Sequence, residues 1–126
     1  MLSGPKIMPV VRCGRCGEAL SRVVTDSPVS ATFTPAVGQD LLPVGHLIVS
    51  DGHWFSETKG SLLVNIQDGL NLVPHPDPGR WNGCCGADGQ DGVNMLCPCG
   101  SEVATKMADC WMYHALVFEP DLVAVS

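Results

Sequence analysis

Charge is what this chain has least of. Aspartate, glutamate, lysine and arginine make up 16% of its 126 residues, where about 25% is usual for a soluble domain. Cations are the scarcer sign, 7 against 13 acids, for a formal net charge of −6. With no basic excess to release counterions from a phosphate backbone, the balance disfavours a nucleic-acid partner. Long apolar runs are also missing. None reaches the ~18 residues of a membrane span, so no membrane insertion is expected. Met1 to Val10 lacks the charged flank and apolar stretch of a signal peptide, and the sequence reads as cytoplasmic. Long helices have no room either. Gly 14 and Pro 10 together make 24 of 126 residues, about 19% against a usual ~12%. The two longest windows free of proline are 44–73 and 99–119, and Gly45, Gly52, Gly60 and Gly69 divide the first. Three motifs are absent: the G-x-S-x-G elbow, the phosphate-binding G-x-x-x-x-G-K-[ST] loop and the dinucleotide G-x-G-x-x-G turn. What remains is a chain 45% hydrophobic, too apolar for a disordered one. Its length suits one domain over residues 1–126.

Against these shortages stand 7 cysteines. An odd number without a secretion signal suits metal ligation better than a disulfide scaffold. Cys13-Gly14-Arg15-Cys16-Gly17 is a C-x-x-C-G zinc knuckle: the spacing aims both thiolates at one ion, and glycine permits the tight turn behind the second. A closed zinc site needs four ligands, so a second pair is required. Cys97-Pro98-Cys99-Gly100 supplies it, one residue shorter yet with glycine in the same place. Cys13, Cys16, Cys97 and Cys99 are the expected zinc ligands, with Cys84 or Cys85 as substitutes for Cys97. A thioredoxin-like redox pair is disfavoured, because the flanks of Cys13 and Cys16 read as β and no helix follows. Cys84, Cys85 and Cys110 are left over. As free thiols they would be small buried hydrophobes, and Cys110, before the apolar run Trp111 to Phe118, suits packing best. With His114 they could instead complete a second four-ligand site, Cys110 and His114 standing four apart on one face of a strand or helix.

The rest of the chain reads as short strands. Residues 7–25 look like a hairpin, with β-branched runs around the first knuckle. Thr32-Phe33-Thr34, Gly45 to Ser50 and Leu62 to Ile66 are brief apolar runs between breakers. Trp111 to Phe118 is an expected strand, and residues 101–107 read as a strand or one helical turn, strand being favoured. Pro74 to Gly79 is an exposed connector, since three prolines remove three donors. Ala87 to Gly92 is a pair of glycine turns rather than a calcium loop, for it lacks alternating acidic ligands and a distal glutamate. His46 and His53 read as surface or hydrogen-bonded residues, and Trp54, Trp81 and Trp111 as core filling. The fold class is therefore mainly β, a small zinc-stabilised antiparallel sheet domain.

Paired Cys-Gly knuckles in β structure, the second followed by Ser101-Glu102-Val103, resemble the zinc-anchored β-tent domains of the Yippee-like and cereblon thalidomide-binding type. The resemblance covers residues 11–24 and 95–118. It implies two antiparallel sheets joined at one four-cysteine zinc held by Cys13, Cys16, Cys97 and Cys99. A zinc-ribbon-like sheet is the other form these knuckles take. The resulting expectation is a non-enzymatic zinc module that recognises a protein or small ligand, through a β surface or a tryptophan-lined region. A small metal- or thiol-dependent enzyme built on Cys84, Cys85, Cys110 and His114 is the rival reading. Arg12, Arg15 and Arg22 around the first knuckle are the only basic feature that would draw a nucleic acid.

Overall fold

Apolar runs without strict alternation are what a strand buried on both faces requires, and here they form the middle of a sheet. The computed structural model describes residues 9–27, 36–52 and 58–126, so Thr32-Phe33-Thr34, His53 and Trp54 lie outside the described residues. Within these, β1 (Val11–Cys13) and β9 (Val123–Val125) form a two-stranded antiparallel sheet. The other strands are β2 (Thr25–Asp26), β3 (His46–Val49), β4 (Leu62–Val64), β5 (Val73–Pro74), β6 (Met95–Leu96), β7 (Glu102–Met107) and β8 (Ala115–Phe118). They make a seven-stranded sheet in the order β2-β3-β4-β8-β7-β6-β5. Every neighbouring pair is antiparallel except β2 with β3, which is parallel. The molecule is mainly β. Among the described residues no helix is long and apolar enough to cross a membrane.

Side chains alternate across a strand, and here both sets are buried. Leu47, Val64, Ala104, Leu116 and Phe118 face one cluster, joined by Val11, Leu20, Val24 and Val123 from the small sheet and its flank. Ile48, Leu63, Met107, Ala115 and Val117 face the other, closed by Leu41, Leu42 and Met112. Cys13 and Cys97 belong to the first cluster, which puts half of the expected ligand set inside the core.

The strand expected over 101–107 is β7, and the runs at Gly45–Ser50 and Leu62–Ile66 supply β3 and β4. Three expectations need correction. The hairpin over 7–25 is only a stub: the chain doubles back through an Arg12–Ala19 bridge, after which Ser21 bridges Gly69 and β2 joins β3. The strand expected from Trp111 begins at Ala115, because Asp109 gathers the preceding residues into a turn. Neither described tryptophan fills the core. Trp81 is half-buried, its indole bonded to the His75 carbonyl, and Trp111 is 55% exposed. The proline connector remains on the surface, contributing edge strand β5 and a 3-10 turn at Pro78–Arg80. Ala87 to Gly92 forms turns, as expected, with an Asp88 carboxylate bond to the Gln90 amide.

Candidate metal centre and a second cysteine cluster

Cys13 ends β1, and the chain then turns so that the Gly17 amide donates to the Cys13 carbonyl at 2.9 Å. Gly17 adopts φ +81°, a left-handed conformation that glycine accepts without strain. Cys97 follows β6, and there the Gly100 amide donates to the Cys97 carbonyl at 2.8 Å, with Gly100 at φ +94°. One bond spans four residues and the other spans three. That difference absorbs the missing residue of the second knuckle: proline after Cys97 sets the φ that a four-residue β-turn wants at its second position. Each turn therefore delivers two sulfurs in the same direction.

The two turns face each other across the gap between the sheets. Cys13 Sγ lies 3.7 Å from Cys99 Sγ and Cys16 Sγ lies 3.4 Å from Cys97 Sγ. All four sulfurs fall within 4.8 Å of one another, and the group could hold a metal ion. Cys13 and Cys97 are buried, whereas Cys16 and Cys99 are exposed. Neither Cys84 nor Cys85 substitutes for Cys97, since both belong to a separate group.

Four thiols this close cannot all ionise unaided. Burial opposes ionisation of Cys13, but amide bonds from Cys16 and Arg15 and contacts with Cys97 and Cys99 outweigh it and bring the thiol down to about 7. Cys97 is pushed up to about 12, chiefly by burial and then by the three neighbouring thiols, against one amide bond from Cys99. One ready thiolate beside one reluctant thiol is a set that a cation completes, because thiolates are the metal-binding form.

Cys84, Cys85 and Cys110 form a second group, also within 4.8 Å of one another. All three are exposed rather than packed, which corrects the expectation for Cys110 in particular. Cys85 and Cys110 are joined in a disulfide, and Cys84 is free. His114 is not a member. Residues 110–112 form a turn and bend, so spacing by four gives no common face, and His114 Nε2 donates to the Asp109 carbonyl at 3.0 Å.

The residue that organises this group carries no sulfur. Asp109 is fully buried, and its carboxylate accepts four donors. Oδ2 takes the Cys84 amide at 2.9 Å and the Trp111 indole at 2.7 Å. Oδ1 takes the Cys85 amide at 3.2 Å and the Cys110 amide at 2.7 Å. Burial raises the Asp109 pKa, but these four donors outweigh it and hold the carboxyl below its ordinary range. Gly86 permits the approach: a Cβ there would sit 2.5 Å from the Ala108 carbonyl oxygen. Sequence reasoning missed Asp109. Its signal was a lone aspartate before a cysteine, a turn residue like many others.

Away from the cysteines, a cleft of about 310 Å³ opens beside β7, lined by Thr58, Ser61, Gly89, Thr105, Met107 and Glu119 among others. Burial, then the charge of Asp121, raises the Glu119 pKa. Among the described residues no tryptophan lines this cleft. His46 is hydrogen-bonded to Ser27 at 2.9 Å, and His75 to Glu102 at 2.9 Å. No family model, curated protein or solved structure matches this chain.

Proposed function

We propose that Cys13, Cys16, Cys97 and Cys99 are the ligands of one structural zinc, and that the protein is a non-enzymatic module whose metal ties its two sheets together. A single observation carries this reading: four sulfurs from turns 81 and 86 residues apart converge within 4.8 Å. Tetrahedral zinc with Zn–S near ~2.3 Å separates its sulfurs by about 3.8 Å, close to the 3.4 and 3.7 Å found here. The all-sulfur donor set favours zinc over calcium or magnesium, which take oxygen. On this reading the chain is akin to the zinc-anchored β-tent domains, a resemblance that rests on its paired Cys-Gly knuckles. Recognition of a small ligand or protein then falls to the surface of the large sheet, where the cleft beside β7 offers hydroxyls, a carboxyl and an apolar wall.

Metal analysis by mass spectrometry on untagged protein tests the reading. One zinc per chain is expected, lost in Cys16→Ser and kept in Cys84→Ser. Cobalt replacement should give the absorption of a tetrahedral thiolate site. A folded, metal-free protein with these four cysteines in disulfides would overturn it.

A further inference from the structure

Cys84, Cys85 and Cys110 have no part in the metal centre, yet three exposed sulfurs within 4.8 Å are held by a frame that does not depend on them. The Asp109 carboxylate fixes the amides of Cys84, Cys85 and Cys110 and the indole of Trp111. A bond between the Ala108 amide and the Ala87 carbonyl, at 2.8 Å, ties the same two segments again. The Cys85–Cys110 disulfide is therefore a third link between segments already joined, and its opening leaves the sulfurs in place. Cys84, adjacent in the chain, is a free exposed thiol within reach of that disulfide.

We propose that Cys84, Cys85 and Cys110 form a thiol–disulfide exchange centre in which Cys110 is shared between two neighbouring cysteines and external thiols are the reaction partners. Exchange proceeds by thiolate attack on a disulfide sulfur. Within the trio, the Cys84 thiolate attacks Cys110 Sγ, the Cys84–Cys110 bond forms and the Cys85–Cys110 bond breaks. Cys85 leaves as thiolate and takes up the proton that Cys84 gave to solvent, so nothing is oxidised or reduced overall. Attack on Cys85 is disfavoured, since adjacent Cα atoms stand about 3.8 Å apart and disulfides want at least ~4.4 Å. With two external thiols the disulfide is reduced: they pass two electrons and two protons to the trio and leave as one external disulfide. A metal is the competing use of three thiolates, but the nearby ligands are engaged. Both Asp109 oxygens accept hydrogen bonds, and His114 Nε2 donates to the Asp109 carbonyl.

The test uses the zinc-loaded full chain in glutathione buffers, with thiols trapped by alkylation and disulfides mapped by mass spectrometry. In the wild type, Cys85–Cys110 is expected to open and re-form reversibly at temperatures well below melting, with a minor Cys84–Cys110 form. Cys85→Ser should still oxidise, now through Cys84–Cys110, whereas Cys110→Ser should form neither bond. Two arms separate the thiol sources. Faster exchange with a cysteine peptide than with glutathione, lost in Trp111→Ala, identifies protein thiols, and equal rates identify small ones. Three results overturn the proposal: a disulfide reduced only on unfolding, a zinc-loaded Cys85→Ser that never oxidises, or a second zinc held by the reduced trio. Should Cys85→Ser fail to fold, the wild-type isomer map alone decides, and absence of any Cys84–Cys110 form counts against exchange.

Discussion

Two residues show how a single position can order a whole neighbourhood. Asp109 brings four donors to one buried carboxylate, and ionisation is what makes it a fourfold acceptor. Its pKa is lowered in the folded protein from an ordinary 3.8. The stabilisation is thus present above the unfolded value and lost as pH falls through the lower folded one. Asp109→Asn should melt earlier than wild type near neutral pH, and the gap should narrow as both are titrated below about pH 4. Urea unfolding in parallel at several pH values measures it; a gap that widens on acidification would contradict the assignment. Gly86 makes the complementary point. Gly86→Ala puts a methyl 2.5 Å from the Ala108 carbonyl oxygen, and a forced backbone shift of that kind costs about 1–3 kcal/mol. A melting temperature equal to wild type would mean that the turn has slack which its contacts do not suggest.

At the scale of elements, the strands β3, β4 and β8 were legible because apolar runs between Gly, Pro and Asp leave few alternatives, whereas β7, without a Gly or Pro to decide it, could also be read as a helical turn. The metal group was legible for a different reason. Each half is complete in four or five residues, Cys13 to Gly17 and Cys97 to Gly100, and the glycine that closes each turn stands in the sequence beside its cysteine. The grouping of Cys84, Cys85 and Cys110 was legible as a candidate second site, but the exposure of Cys110 was not, because nothing local marks it. Cys110 precedes an apolar run, which argued for burial, whereas Asp109 draws residues 109–111 into a turn and leaves the sulfur outside. Trp111 was misplaced by the same pull. Pairings such as β1 with β9 join the ends of the chain and leave no trace in local pattern. β8 lies between β4 and β7 and is buried along its whole length. Phe118, fully buried at its end, is the largest side chain there, and Phe118→Ala should cost about 3–5 kcal/mol. Denaturant midpoints at equal slope would report it, and a loss under about 1 kcal/mol would mean that the core refills the space.

For the whole molecule, charge and metal set the expected behaviour. Four thiolates around one Zn²⁺ add a net −2, taking the formal charge from −6 to about −8. Binding to DNA or RNA should therefore be weak and non-specific at ~150 mM salt, and a nanomolar sequence-specific complex in a mobility-shift titration would reverse this. Metal removal has the larger consequence. Cys13 and Cys97 are core residues as well as proposed ligands, packed with Val11, Leu20, Val103 and Phe118. Without a cation the four thiols offer only weak mutual contacts, and a closure spanning 81 to 86 residues loses its fastening. Structural zinc can carry on the order of 10 kcal/mol of folding free energy, as much as the entire stability of a typical small domain. Chelation should consequently abolish both sheets together in one cooperative step, and restored zinc should refold them. The Cys85–Cys110 bond, remote from the ligands in the chain, should survive the chelator and persist in the unfolded protein. Far-ultraviolet circular dichroism during chelator titration, with disulfide mapping at its end point, checks both halves. An apoprotein that keeps its β signal and melts at the wild-type temperature would show that hydrophobic contact alone joins the sheets.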